Sequence, residues 1–569
     1  MIRFVSNLSG SSMLEIAVMS TVVPLLFVLR HSIFSSYQSV TPTKKNDHDN
    51  AVLGSKKLGN YMATLTVDFL FTVLPMLLIF TVLADWVYIF AIPMMVLVFS
   101  VVAAKRVDAS NYSGGSLSLR TNVSSYRVLV MTITFLCILA VDFKIFPRRH
   151  AKTETYGTGL MDLGVGSFIL ANALVSRQAR SVSLVNWKAA VQSTSPLLLL
   201  GFARLLTTRS VDYQVHTGEY GVHWNFFFTL AAVSILTSII NIPPQYSGIF
   251  GVAILIGFQY WLSHGLNVYL LSDERGTDIL SKNKEGIFSI LGYWGLYLVG
   301  VQLGYYLFFG NRPTTALRTI KWARVRVSFI SLVFWLVTVL LDRHVERVSR
   351  RMCNLAYVTL VLAQNLQVLA ILMLSDFTAG SKMSALEEAL NRNLLGTFLL
   401  ANLLTGLVNL YVDTLFTPSL SALVILLAYA YCLSIITEYS NFGSSWSHGF
   451  SAEPVSLDHV TRPDHPNPSP HNWNCYPKAK YQLYLLDVYS RVLPGSGLTL
   501  NVKNFPPSND RTEASTCFIV HQASPRDEAT STAKNILHSK NVDGIRMMML
   551  KLSYCITVPS KTLAITVPL

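Results

Sequence analysis

The sequence predicts an all-α fold: a polytopic transmembrane helical bundle of about thirteen spans, followed by a largely disordered C-terminal tail. Three observations predict it. Of the 569 residues, 51% are hydrophobic and only 13% charged, where an ordinary soluble domain carries roughly 25% charged residues. Apolar runs of about 17–25 residues, the length that crosses a bilayer as helix, recur up to about residue 440. Segments such as Met62 to Leu83 are apolar on every face, whereas the helices of a large soluble core would be amphipathic.

In chain order the expected spans centre near Val23, Val73, Met94, Phe135, Phe168, Leu198, Ala231, Ile256, Leu296, Val333, Leu362, Leu400 and Ile425. Each must be a helix, because lipid cannot satisfy an open backbone. The runs around Phe168 and Leu198 carry polar residues. The first run begins near Leu14 behind one basic residue, Arg3, which is no signal-peptide n-region.

The connections then set orientation. The first carries Lys44, Lys45, Lys56 and Lys57; the third Lys105, Arg106, Arg120 and Arg127; the ninth Arg312, Arg318, Lys321, Arg324 and Arg326. Odd-numbered connections hold roughly 19 Lys and Arg against about 14 on the other side, so they are expected in the cytosol. The N-terminus is then lumenal, with a glycosylation sequon at Asn7, and the sequons at Asn111 and Asn122 are cytosolic and unused. Two regions follow: residues 1–440 as the multi-span domain, and residues 441–569, a polar tail containing PDHPNPSP with no run long enough to span.

A net charge of +14 would suggest nucleic acid in a soluble protein. Here the basic residues flank spans, so lipid headgroups and topology account for them and no nucleic-acid partner is expected. The 6 cysteines have neither disulfide-framework nor zinc spacing. Asp68, Gln192, Gln259, Gln302, Gln364, Asn365, Asn402 and Asn409 lie inside spans and are expected mostly to hydrogen-bond neighbouring helices.

Three connections concentrate the remaining chemistry, and all three fall on the lumenal side. The first is VDFKIFPRRHAKTETYGTGLMDLGVGS, Val141 to Ser167. Asp142 ends a span, where the low-dielectric core raises a carboxylate's pKa unless a cation is near. Pro147 breaks the helix and lets Lys152 return toward Asp142. The pair has two readings: a proton-accepting base with an electrostatic partner, or a headgroup-level salt bridge with snorkelling arginines. The glycines at 157, 159, 164 and 166 lack the dinucleotide spacing and a preceding strand. They are expected to allow a tight turn and close helix packing, with Asp162 at the helix start. The second connection, ARLLTTRSVDYQVHTGEYGVHWNFF, gathers Arg204, His216, Glu219, His223 and Asn225 as a polar rim or an interfacial anchor. Its histidines lack the HExxH spacing, and no metal site is expected. The third, LSDERGTDILSKNKEG, is a mixed-charge loop that specifies no reaction.

The stretch AVDFKIFPRRHAKTETYGTGLMDLGVGSF resembles the glycosylphosphatidylinositol (GPI)-anchor inositol acyltransferases of class W, as do FVSNLSGSSMLEIA, ARLLTTRSVDYQVHTGEYGVHWNFF, SDERGTDILSKNKEGIFSILGYW and NLLGTFLLANLLTGLVNLYVDTLF. The resemblance covers residues 1–440 and implies an endoplasmic-reticulum enzyme. It would move a fatty acyl chain, usually palmitoyl, from acyl-CoA to the inositol 2-hydroxyl of glucosaminyl-phosphatidylinositol. Acyl-CoA would be a co-substrate, with no permanently bound cofactor. The family's catalytic pair falls on Asp142 and Lys152. Arg148, Arg149 and Arg204 would hold phosphates, and Glu154, Asp162, His216, Glu219, His223 and Asn225 complete the expected substrate-binding set. Gly164 and Gly166 would leave room for the acyl chain. Lys144 stands where the family usually has proline, and its charge is expected to lower the Asp142 pKa. The tail after about Gly443 does not resemble the family. The alternative function is a lipid or solute transporter, whose mark, paired inverted halves, is not seen.

Overall fold

A computed structural model describes residues 8–34, 62–108, 119–181, 187–209, 217–309, 316–377 and 383–448, with short segments at 499–501, 519–521, 554–558 and 561–565. Two compact units divide the chain, Met1–Ala452 and Glu453–Leu569. Among the described residues the first unit holds thirteen longer apolar helices, besides short ones such as Ala385–Arg392, and each expected span centre falls inside one of the thirteen. They are α1 (Met13–Phe34), α2 (Met62–Phe80), α3 (Val87–Asp108), α4 (Leu119–Ala140), α5 (Leu163–Leu174), α6 (Trp187–Arg209), α7 (Phe226–Ile239), α8 (Pro244–Leu271), α9 (Lys284–Phe309), α10 (Ala316–His344), α11 (Leu355–Leu372), α12 (Leu394–Tyr411) and α13 (Ser419–His448).

Length and composition alone support ten of the thirteen expected spans. Ten of these helices are long and apolar enough to cross a membrane; the apolar parts of α5, α6 and α7 are shorter. The 12 residues of α5 rise only about 18 Å, against a hydrocarbon core of about 30 Å.

The helices nevertheless run alternately between two polar layers, as hydrogen bonds and ion pairs between distant connections show. At one end Glu15 meets Arg149, Asp85 meets Arg149, Lys152 meets Glu219, Arg350 meets Asp162, and the Val222 amide donates to the Lys282 carbonyl. At the other end Arg30 meets Asp68, His31 meets Glu387, Asn122 donates to Asp376, and Gln178 donates to the Ile242 carbonyl. All even-numbered connections with described contacts, and the N-terminal segment, belong to the first layer. Asn122, 1% exposed and bonded to Asp376, is closed to glycosylation; Asn7 and Asn111 lie outside the described residues.

Burial follows helix position. In α11 and its extension to Phe377, 78% of the apolar window is buried, against 17% in α10. Polar side chains on a central helix must therefore find protein partners. Gln364 donates to Ser20, the Tyr126 hydroxyl to Asn365, and Trp335 to Gln367. The face of α10 rich in Phe329, Leu332 and Leu336 is exposed, as a lipid-facing helix requires. α5 packs on α9 and α11: a Cβ at Gly166 would lie 2.7 Å from the Val361 side chain, so that glycine serves packing, not an acyl chain. Gly164 has open space at the same test.

In the second unit the described residues form two antiparallel strand pairs. β1 (Thr499–Asn501) joins β2 (Ile519–His521), and β3 (Tyr554–Val558) joins β4 (Lys561–Ile565). Their β-branched and aromatic content suits strands. The remainder of the expected disordered tail lies outside the described residues.

Candidate active site

The charged stretch after α4 is shaped by its own backbone needs. The last carbonyls of a helix lack intrahelical donors. Arg148 folds back to donate to the carbonyls of Val141, Phe143 (3.2 Å) and Phe146 (3.4 Å). It thus caps the turn that follows α4, although it was expected to hold phosphate. Arg149 reaches Glu15 at 2.8 Å and Asp85 at 2.5 Å, and the buried His150 ring meets Glu15 at 2.8 Å. Burial pushes the His150 pKa down, and Glu15 only partly offsets this. These two residues fasten the loop to α1 and to the start of α3.

The N-terminal segment is laced into the same loop. The Ser11 amide donates to the Thr158 carbonyl and the Thr158 hydroxyl to the Ser11 carbonyl, both at 2.7 Å, while the Glu154 amide donates to Leu8 at 3.1 Å. Gly157 makes this possible: its φ is +127°, and a Cβ there would lie 2.1 Å from the Ser9 carbonyl oxygen. The N-terminal motif from Leu8 onward and the motif at Val141 therefore form one structural piece.

Asp162 is the loop's internal anchor. Its carboxylate accepts from the Thr153 amide (3.0 Å), the Thr153 hydroxyl (2.9 Å) and the Gly159 amide (2.8 Å), and takes an ion pair from Arg350 at 2.9 Å. It is 2% exposed. Its backbone carbonyl accepts from the Tyr357 hydroxyl of α11. A carboxylate so enclosed is a positioning group, which corrects the expected substrate-binding role.

Arg350 continues past Asp162 to Glu219, 3.5 Å away, and Glu219 accepts from the Lys152 ammonium at 2.6 Å. Burial alone would raise the Glu219 pKa. Lys152, Arg350 and Arg204 outweigh it and hold the carboxyl at about 2. Arg350 stays protonated: the two carboxylates overcome the burial that would lower its pKa.

Asp142 follows α4 at the same end, half-buried. Its Oδ2 accepts from the Asn409 side chain of α12 at 2.8 Å. It forms no ion pair with Lys152, correcting the expectation that the two side chains meet; Lys152 acts on it only through its field. Burial raises the Asp142 pKa, and the Asn409 hydrogen bond, Arg148 and Lys152 reduce that rise without cancelling it. Lys144, expected to lower this pKa, is not among the groups that shift it; its ammonium sits over the Phe416 ring, 5.3 Å from its centre. Asn409 also lines a shallow, open depression of about 390 Å³ formed by the turn from Asn409 to Leu415. A carboxylate with raised proton affinity, inside the field of two cations, is equipped to take a proton from a hydroxyl.

The other expected residues are distributed unevenly. Asn225 is buried as the N-cap of α7, accepting from the Phe227 and Phe228 amides and donating to the Gly201 carbonyl. Its amide is taken up by structure, which corrects its expected contact with substrate. His223 is exposed, while its backbone amide donates to Asn283. Glu154 is half-buried and Arg204 exposed; Arg204 acts on Glu219 through its charge. His216 lies outside the described residues. Sequence reasoning missed Arg350, on a connection that drew no attention. An Arg-Arg pair at 350–351, placed against the charge bias of its side, was the available signal. Asn409 was read as a helix-packing residue, and its donation to Asp142 needed the fold to appear.

The family model described as GWT1 matches residues 2–439. An uncharacterized protein of Arabidopsis thaliana is 59% identical over 427 residues, covering 74% of this chain and 96% of its own length. The phosphatidylinositol-glycan biosynthesis class W protein of Dictyostelium discoideum is 33% identical, covering 77% of this chain and 97% of its own length. The glucosaminyl-phosphatidylinositol-acyltransferase PIGW of Mus musculus is 33% identical, covering 76% and 96%. The matched region contains the charged loop, the Glu219 connection, Arg350 and Asn409, and on this breadth of agreement the chain belongs to the GWT1 family.

Proposed function

We propose that this protein is an O-acyltransferase of GPI-anchor biosynthesis, transferring a fatty acyl group, palmitoyl by expectation, from acyl-CoA to the inositol 2-hydroxyl of glucosaminyl-phosphatidylinositol. The multi-pass domain would work in the endoplasmic-reticulum membrane with its N-terminus lumenal, as the charge bias favours. The observation that carries the reading is Asp142: a carboxylate of raised proton affinity, hydrogen-bonded to Asn409 and inside the field of Arg148 and Lys152. The mouse relative's name, a glucosaminyl-phosphatidylinositol acyltransferase, supports acyl transfer to that lipid.

The step balances as follows. Asp142 takes the proton of the inositol hydroxyl as its oxygen bonds to the thioester carbonyl carbon. Negative charge grows on the carbonyl oxygen, where the Lys152 ammonium would stabilise it. The carbon–sulfur bond breaks, coenzyme A leaves as thiolate, and the proton on Asp142 passes to that sulfur. The thiolate, far less basic than the inositol alkoxide, is the better leaving group of the two, so the ester forms. No covalent acyl-enzyme is needed.

The test uses the purified full chain in lipid vesicles with palmitoyl-CoA and glucosaminyl-phosphatidylinositol. A product heavier by one acyl group, esterified on inositol, is expected, with one free coenzyme A formed per product. No ester product alongside intact, monodisperse protein would refute the reading.

A further inference from the structure

Lys152 has a long, flexible side chain that is 39% exposed, so left alone it would sample many rotamers. The structure holds it at both ends. Its ammonium donates to Glu219 at 2.6 Å. Glu219 is braced at 3.5 Å by Arg350, itself only 4% exposed. Arg350 is fixed at 2.9 Å by Asp162. Asp162 accepts from the amide of Thr153, the residue that follows Lys152 in the chain. The relay is therefore a closed ring: from the Lys152 ammonium through Glu219, Arg350 and Asp162, back to the backbone beside Lys152. Its members come from three separate stretches of sequence, and its outer members, Lys152 and Glu219, are the more exposed ones.

Resting on the acyltransfer reading, we propose that Glu219, braced by Arg350, is the positioning residue that holds the Lys152 ammonium in register with the reacting carbonyl. Glu219 does not contact substrate in this account, which separates it from the substrate-binding role expected of it. Arg350 suits the brace because its planar guanidinium addresses two carboxylates at once, which a lysine ammonium does less well.

The test is a double-mutant cycle on the full chain, joined to a chemical probe that does not depend on turnover. Glu219→Gln, which keeps the shape and loses the charge, should lower kcat about tenfold, with KM for both substrates within about twofold. On a Lys152→Ala background the same change should have no further effect, because Glu219 acts through Lys152 alone. In parallel, brief exposure to acetic anhydride, read by peptide mass spectrometry, should modify Lys152 several-fold faster in Glu219→Gln than in the unaltered protein. Arg350→Lys provides the same comparison if Glu219→Gln fails to give monodisperse protein. Full additivity in the cycle, or unchanged Lys152 labelling, would overturn the proposal. An unaltered protein that makes no ester refutes the acyltransfer reading itself; active unaltered protein with an unaffected Glu219→Gln refutes the relay alone.

Discussion

Replacing Asn409 by leucine probes the base directly without touching it. The Asn409 amide donates to Asp142 at 2.8 Å and favours the charged carboxylate, against burial, which favours the acid. A hydrogen bond to a charged group contributes about 1.5–3 kcal/mol. Asp142 is half-buried, so water replaces part of the lost bond and about 1 kcal/mol remains. That is about fivefold in the ratio of carboxylate to acid at a given pH. The sign follows from the linkage: the folded pKa already lies above the ordinary 3.8, and losing the bond raises it further. The working carboxylate form is lost as pH falls through that value. Initial rates of acyl transfer against pH, at saturating acyl-CoA, should show the acid limb of Asn409→Leu displaced to higher pH. The alkaline plateau should stay within about twofold of the unaltered protein, because the ionised base is intact. An acid limb that does not move would refute Asp142 as the titrating base, or its coupling to Asn409.

Further outcomes follow from the same geometry. Gly157→Ala places a Cβ 2.1 Å from the Ser9 carbonyl oxygen at a φ of +127°. It should cost about 2 kcal/mol or more and lower the unfolding temperature by roughly 2 °C or more. Gly164→Ala, with open space at its Cβ, should leave that temperature unchanged or slightly higher. Glu219 has a folded pKa of about 2 against an ordinary 4.5, so it contributes stability that is complete above the ordinary value and lost as pH falls toward 2. Thermal unfolding should therefore weaken more steeply below about pH 4.5 in the unaltered protein than in Glu219→Gln. A chain ending after His448, which keeps every helix of the first unit, should retain acyl transfer within about twofold of the full chain, assayed in the same vesicles.

The positions of the helices were readable because a lipid-facing span is apolar all round, and that signal survives without knowledge of its neighbours. It does not fix how much of each apolar run is helix long enough to cross, and so α5, α6 and α7 read like the rest. The charged loop was readable for the opposite reason: Asp142, Lys152 and Asp162 stand out against an apolar background. What each side chain does there depends on partners far away in the chain. Asp162 answers to Arg350, 188 residues on, and Asp142 to Asn409, 267 residues on. Arg148 shows the limit in another way. Its charge invites a phosphate, yet the nearest need for a cation is the carbonyl-rich turn it follows. Lys144 had been read by adjacency in sequence, whereas its ammonium turns away to the Phe416 ring.

The account depends most on a carboxylate that accepts the substrate's proton, and Asp142→Asn measures this. The amide keeps the size of the side chain and loses the base. With purified full-length protein of unchanged unfolding temperature, kcat for ester formation on glucosaminyl-phosphatidylinositol should fall by about 10²–10⁴, with KM for acyl-CoA little changed. Turnover within about threefold of the unaltered protein would contradict the account.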